Sequence, residues 1–587
     1  MNDTFYRPPL PDVPEKELRN TAVTRTLTEY PHLFKIVTPI NVDRFEELTQ
    51  THPNQPFVKS VCKGLREGFW SYADAFPDSY PDMFDNCAGG PKDERQARFM
   101  QDQRDDEIRQ DRYSQTFGTN LLPGMYNIPI HAVPKPPIDS GKLRLVIDMS
   151  AGEFAPNSVI SRESIAGLHL DGMRVLGEAL IRFRAKYPNV RLVMFKSDVS
   201  QAYRRLPMHP RWQIKQVVTV DGDRHVNRCN DFGGRGSFAI WVAFFGLVIW
   251  VAVFICFLED IMAYVDDSFS FEVEGNVKYY EPYKMYFPRK QTKLLQLWDE
   301  LGIPHEKKKQ EYGPKLTIIG FEVDPNAMTV TLPACSKALF VEHIKSFLDR
   351  PPGGKRKTLR EFQKMAGYAN WAFNVFPLLR PSLCAMYEKM AGKSQQNLGI
   401  YVNNSMRYEL SWLADRVEMS DGIHFLRSRE WGPEHPDVYV AYTDASGIGL
   451  AFWFPSHNVG FQCPKPKFAP NDAIFFFEAL AVCSAVHHAS MLSPAPRKLV
   501  IYTDNTNTVA MYDSLRALPD YNHILISSVN VLLDHSIELH VLHVPGLQNK
   551  VADALSRFRN DEVLALSPHL QIGTFQPPQD ALGAAKQ

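Results

Sequence analysis

The chain has 587 residues, 44% hydrophobic and 22% charged, with a formal net charge of −1. That is length enough for several domains with sizeable cores, and the balanced charge excludes a global basic field, so nucleic acid could be met only by local patches. Eight cysteines (62, 87, 229, 256, 335, 384, 463 and 483) form no C-x2-C pair, which argues against a zinc knuckle or a disulfide framework and suits a reducing compartment. Met1 to Pro14 is polar and proline-rich, with no signal-peptide pattern, so an intracellular location, cytoplasmic or nuclear, is expected.

Residues 1–115 form a partly helical N-terminal region. Phe57 to Trp70 has the pattern of a helix closed by Gly68 and an aromatic pair, and Asp93 to Arg112, dense in both charge signs, that of a solvated helix. Asn127–Lys135 and Lys142–Asp148 are strand-like runs around the turn residues Pro136–Gly141 and predict a hairpin. Asp139-Ser140-Gly141 is read as turn chemistry and not as a protease motif, because no protease-sized domain surrounds it. Val190 to Asp198 is a mostly apolar strand ending in an acid, with turn residues after it. Phe232-Gly233-Gly234-Arg235-Gly236-Ser237 is a glycine-rich loop entering a helix, which lets backbone approach a ligand closely.

Phe238 to Leu258 carries no charge and meets the length and hydropathy of a membrane span. It is read as a buried helix, because a bilayer there would separate the acid at 198 from those at 266 and 267. No membrane partner is expected. Ala263 to Phe271 then reads as a β-hairpin with Asp266 and Asp267 at its tip. Leu294–Leu301 is an amphipathic helix, and Phe340 to Lys393 holds ten Lys/Arg against four Asp/Glu with aromatics interleaved, a composition suited to tracking a phosphate backbone.

From Val438 the pattern changes. Val438–Asp444 and Leu499–Asn505 are strands reaching an acid, Gly447–Phe454 is a strand beside the first, Glu478 lies in an apolar helix, and Asp553 opens another helix. A lone carboxylate on an apolar helix is costly unless paired or bound to metal. Ser567 to Gln587 is polar and expected to be disordered.

Two strands that each deliver an aspartate to one end can hold a pair of divalent ions about 4 Å apart. All-oxygen ligand sets suit Mg²⁺ or Mn²⁺ better than zinc. Asp198, Asp266 and Asp267 make one such set, and Asp444, Glu478, Asp504 and Asp553 a second, with two ions expected at each.

At these residues the chain resembles reverse transcriptases. Phe195-x-x-Asp198-x-x-x-Ala202-Tyr203 is similar to that family's first palm motif, and Tyr264-Val265-Asp266-Asp267 to its catalytic hairpin. Thr443-Asp444-Ala445-Ser446, Thr503-Asp504-Asn505 and Ala552-Asp553-Ala554-Leu555-Ser556-Arg557 resemble ribonuclease H. The last run, with His543-Val544-Pro545-Gly546 before it, is similar to Gypsy-like and DIRS-like retrotransposons. The resemblance implies an α+β multidomain chain: a right-hand polymerase with fingers and palm over 116–330, thumb-like helices over 331–400, a connection over 401–436, an α/β ribonuclease H-like domain over 437–560, and a tail over 561–587.

It implies an RNA-directed DNA polymerase with ribonuclease H activity whose partners are an RNA template, a DNA primer, an RNA–DNA hybrid and deoxynucleoside triphosphates. The other reading is a catalytically inactive or domesticated nucleic-acid-binding remnant. Carried over by resemblance, Lys135 and Arg144 would touch the triphosphate, Tyr203 would exclude a 2′-hydroxyl, and Phe232 and Gly233 would position nucleotide and template. Lys309 would protonate pyrophosphate, and Ile319, Gly320 and Phe321 would grip the primer end. The family commonly has Pro after the small residue of the glycine-rich motif, where this chain has Phe238.

Overall fold

A computed structural model describes residues 2–86, 90–135, 141–349, 356–428, 430–467 and 473–583. It divides into two compact units, Met1–Ile319 with Val323–Met328 and Gly320–Glu322 with Thr329–Gln587.

In the first unit, α1 (Gln55–Glu67) starts at Asn54, whose side chain accepts from the Phe57 N–H, and stops at Gly68. Helix α2 (Glu94–Arg109) departs from the expectation of a solvated helix, because it buries Met100 and Glu107. Met100 packs with Ile130 and Ala132 of β1 (Ile130–Pro134) and against Leu143, Leu145 and Ile147 of the antiparallel β2 (Leu143–Ile147). The period-two alternation leaves Lys135, Lys142 and Arg144 on the opposite face of this hairpin. Its turn residues 136–140, including Asp139, lie outside the described residues.

The central element is a four-stranded antiparallel sheet. Its strands are β3 (Leu192–Val199), β4 (Met262–Tyr264), β5 (Asp267–Val273) and, further on, His305–Gly313, in the order His305–Gly313, β3, β5, β4. Between β3 and β4 runs α3 (Ser237–Phe254), the segment with the composition of a membrane span; 72% of it is buried inside the protein. A helix apolar on every side is stable in water only when surrounded. Phe244 meets Phe45 at 5.3 Å between ring centroids, and Phe245 meets Trp298 at 6.1 Å. After β5, a two-stranded ribbon, β6 (Val277–Tyr280) and β7 (Met285–Pro288), precedes α4 (Arg289–Leu301) and the strand β8 (His305–Gly313). The ribbon has no counterpart in the sequence reading.

In the second unit, α5 (Ala334–Leu348) and α6 (Leu359–Ala372) carry the basic stretch, α6 opening on a reciprocal Thr358–Glu361 capping box. A six-stranded mixed sheet follows, built from β9 (Val438–Ala445), β10 (Gly449–Phe454), β11 (Val459–Pro464), β12 (Lys498–Thr503), β13 (Glu538–His543) and β14 (Gln571–Thr574), ordered β13-β12-β9-β10-β11-β14. Helix α7 (Ile474–Ser490) packs on one face, and its Phe476, Phe477 and Leu480 are buried with Ala441 and Ile501. Strand β14 corrects the expectation of a disordered tail. Leu570 and Ile572 pack on Ala451, Ala554 and Leu555, and β14 pairs in parallel with β11. Two apolar side chains among polar neighbours suffice when a sheet edge supplies the backbone partners.

One buried ion network ties α2 to the turn after β3. Arg204 and Arg112 both bond the Glu107 carboxylate, Arg112 at 2.6 Å, and all three residues are buried. Burial pushes the Glu107 carboxyl up, but the guanidinium charges of Arg204 and Arg112 hold it below its ordinary value. We expect Glu107→Gln to cost about 3 kcal/mol or more at neutral pH, since two buried cations lose their counter-charge. A carboxyl with a depressed folded value stabilises above its unfolded value and loses that contribution on acidification. The gap between wild type and variant in denaturant unfolding should therefore narrow as pH falls below about 4.

Candidate active sites

Strand β3 is buried along most of its length, so its register is fixed, and Asp198 is brought opposite Asp267 in the β3–β5 ladder. Side chains directly opposite in such a ladder share a face, with Cβ atoms about 5 Å apart. Asp266 is the tip residue next to it, tied to β3 by the Val199 N–H donating to the Asp266 carbonyl at 3.3 Å. Burial and the Asp198 charge push the Asp266 carboxyl up; burial, with its Asp266 and Asp198 neighbours, pushes Asp267 up to about 6 against the pull of Lys196. Lys309 of β8 donates to Asp198 Oδ1 at 2.5 Å, so the ammonium lies on the carboxylate and supplies a positive charge there. The three aspartates thus share one end of the sheet.

Past Asp198 the chain turns through Gln201 in the left-handed region (φ 53°) into a short helix, Ala202–Arg205. Tyr203 is buried there and stacks on Phe232, with centroids 4.5 Å apart and planes inclined by 24°. Phe232 is 68% exposed, so it covers the tyrosine and presents its own ring outward. The loop after Phe232 is held by Asp231 Oδ1, which accepts from the N–H groups of Gly233 (2.7 Å) and Gly234 (3.1 Å). A Cβ on Gly233 would sit 2.0 Å from the Ile147 carbonyl oxygen, so only glycine lets the loop lie against the end of β2. Lys135 and Arg144 are exposed on one face of the β1–β2 hairpin. Ile319 (φ 50°) and Gly320 (φ 85°) form a left-handed turn, and Phe321 stacks on Trp371 at 4.6 Å.

The second set lies at the ends of β9 and β12, parallel neighbours that deliver Asp444 and Asp504 to one end of the sheet, with Glu478 arriving from α7. One oxygen from each of Asp444, Glu478 and Asp504 lies within 4.8 Å of the others. Glu478 accepts from the Ala445 N–H (3.1 Å) and Thr503 Oγ1 (3.3 Å), and Asp444 from Ser556 Oγ (2.6 Å). Burial, then the Asp444 and Asp504 charges, push Glu478 up to about 9, and burial with Asp504 and Asp553 pushes Asp444 up to about 7. Like charges gathered away from water favour the protonated form, and the all-oxygen donor set fits Mg²⁺ or Mn²⁺. Asp553, on α8 (Lys550–Ser556), does not join the group of three; it bonds Arg557 at 2.8 Å and acts on Asp444 by its charge. Ser556 lies inside a run singled out in the sequence, but its bond to Asp444 spans 112 positions, and no local pattern shows it.

No family model matches the chain, and no curated protein matches it. Among solved structures, it is similar to the foamy viral protease-reverse transcriptase dRH in complex with ds DNA, at 17% identity over 88% of this chain and 85% of that one, with a TM-score of 0.41. It is also similar to the foamy viral protease-reverse transcriptase in complex with RNA/DNA hybrid (16% identity, 88% and 65% covered, TM-score 0.39) and with dsDNA (16%, 87% and 98%, 0.41). Scores of this size leave the functional reading to the carboxylates themselves.

A carboxyl raised on folding stabilises at low pH and loses that contribution as pH climbs through its folded value. Without divalent ions, stability should therefore fall between pH 6 and 9, and the rise in Tm on adding Mg²⁺ should be larger at pH 8.5 than at pH 6. Glu478→Gln should flatten the metal-free profile and remove most of the Mg²⁺-dependent rise. Thermal melts with Mg²⁺ and with a chelator, at both pH values, check this.

Proposed function

We propose that this chain is a nucleic-acid-synthesising and nucleic-acid-cleaving enzyme: an RNA-directed DNA polymerase joined to a ribonuclease H-like nuclease, of retrotransposon origin. The observation that supports it most is the convergence of Asp444, Glu478 and Asp504 within 4.8 Å at parallel strand ends. A second acidic centre, with Asp198 opposite Asp267 in the β3–β5 ladder, carries the polymerase half.

Asp198, Asp266 and Asp267 would hold Mg²⁺ for synthesis, and Asp444, Glu478 and Asp504, assisted by Asp553, for RNA cleavage. When bound, the ions lower the pKa of an attacking hydroxyl or water and offset charge on the leaving oxygen. The protein's own groups do the rest. Lys309, whose Nζ donates to Asp198 Oδ1, would give a proton to departing pyrophosphate. Lys135 and Arg144 put cations on one face of a hairpin, where a triphosphate would meet them. The Tyr203 ring, packed against Phe232, fills space beside a nucleotide sugar, and Ile319, Gly320 and Phe321 would support the primer end. In the nuclease half, Ser556, Thr503 and the Ala445 N–H orient carboxylate oxygens, and the 2′-hydroxyl would mark the strand to be cut.

The two activities should be separable. Asp266→Asn should lower primer extension on an RNA template by a factor of about 10³ or more while leaving hybrid cleavage largely intact, and Asp444→Asn should do the reverse. Loss of both activities in either folded variant would count against two centres, and their absence from wild type would favour a domesticated remnant. Tyr203→Ala should relax discrimination against ribonucleotides about tenfold or more, and Tyr203→Phe should keep it, since ring bulk and not the hydroxyl excludes. Incorporation efficiencies for matched deoxy- and ribonucleotides on one template give the ratio.

A further inference from the structure

The turn that presents Asp266 and Asp267 is built on Val265, whose φ of 57° lies in the left-handed region. For a β-branched residue this is a true outlier, and such a conformation persists only when its surroundings over-determine it. The surroundings here are specific. The indole N–H of Trp241 donates to the Val265 carbonyl at 2.6 Å. Trp241 is fully buried in the Ser237–Phe254 helix, stacked on Phe245 with centroids 4.9 Å apart, and 6.2 Å from the Tyr203 ring. An indole N–H buried in an apolar core needs an acceptor, and the turn carbonyl is the one it has. Two other bonds hold the same hairpin at its base: the Ala263 N–H donates to Asp171 Oδ2 at 3.1 Å, and the Asp171 N–H donates to the Ala263 carbonyl at 3.1 Å.

We propose that Trp241 is a positioning residue: its N–H fixes the strained Val265 peptide, and so aims the two aspartates, while its ring shares a packing layer with Tyr203. The claim rests on the polymerase reading of the hairpin. Rotating one peptide at residue 265 would move both carboxylates relative to Asp198, and displacements of about 1 Å at a reacting centre cost about 10²-fold in rate.

The test compares wild type with Trp241→Phe and with protein carrying benzothienylalanine at position 241, which keeps the bicyclic ring and replaces N–H by sulfur. Hydrogen exchange of the peptide spanning 262–268 and single-nucleotide incorporation are measured for each. Both variants should exchange faster in that peptide and lose about tenfold or more in kcat, with KM for the nucleotide within about twofold of wild type. Placing either change in a Val265→Gly background should shrink the kcat loss to about twofold, because glycine adopts the turn without help. Unchanged exchange overturns the proposal, as does faster exchange with unchanged kcat, or an equal loss in the Val265→Gly background. If Trp241→Phe does not fold, the isosteric variant decides. If wild type incorporates no nucleotide, the polymerase reading fails, and the exchange data alone judge the clamp.

Discussion

Like charges brought together in a protein repel unless something offsets them, and both centres of this molecule are built around that repulsion. Asp198, Asp266 and Asp267 are forced onto one sheet end by strand register, and Asp444, Glu478 and Asp504 by two parallel strands and a buried helix. Each set is a standing cost that the surrounding core must carry. The two centres meet it differently. In the first, Lys309 lies on Asp198 and lowers the local negative charge. In the second, the buried members drift toward the protonated form, and hydrogen bonds from Ser556, Thr503 and the Ala445 N–H fix their geometry.

The difference bears on how each centre would take up a cation. At Asp198 an incoming ion competes with an ammonium already in place, whereas at Glu478 it competes with a proton. The first exchange is sensitive to side-chain mobility and ionic strength, the second chiefly to pH. Buried support determines where these groups sit. Glu107, far from the hairpin in sequence, holds Arg204 next to Tyr203, so the position of an aromatic at the first centre depends on an ion pair made by α2.

What the sequence shows of this depends on how local the cause is. An apolar run ending in an acid has a short-range signature, and Asp198, Asp266, Asp444 and Asp504 were legible for that reason. The Ser237–Phe254 helix was ambiguous, because a core helix and a bilayer span share composition; only its neighbours, Phe45 and Trp298 among them, show what surrounds it. The roles of Glu107, Ser556 and Trp241 come from contacts across long stretches of chain, and each sat within a segment whose local pattern suggested something plainer. The ribbon of Val277–Tyr280 with Met285–Pro288 was missed because its residues alternate too weakly to separate strand from loop. The segment around Ile572 was missed because a strand completing an existing edge needs few apolar residues of its own.

That last strand has a consequence for the solution behaviour of the molecule. Val459–Pro464 is hydrogen-bonded on one side by Gly449–Phe454 and on the other by Gln571–Thr574. A chain stopping at Leu566 would keep every residue of the carboxylate cluster yet leave a flat edge bearing Val459 and Phe461, with its peptide groups open to any similar strand. Uncovered edges of this kind template sheet-to-sheet aggregation. The closing segment thus replaces a six-residue edge by a four-residue one, and a shortened protein should aggregate more readily for reasons unrelated to its chemistry.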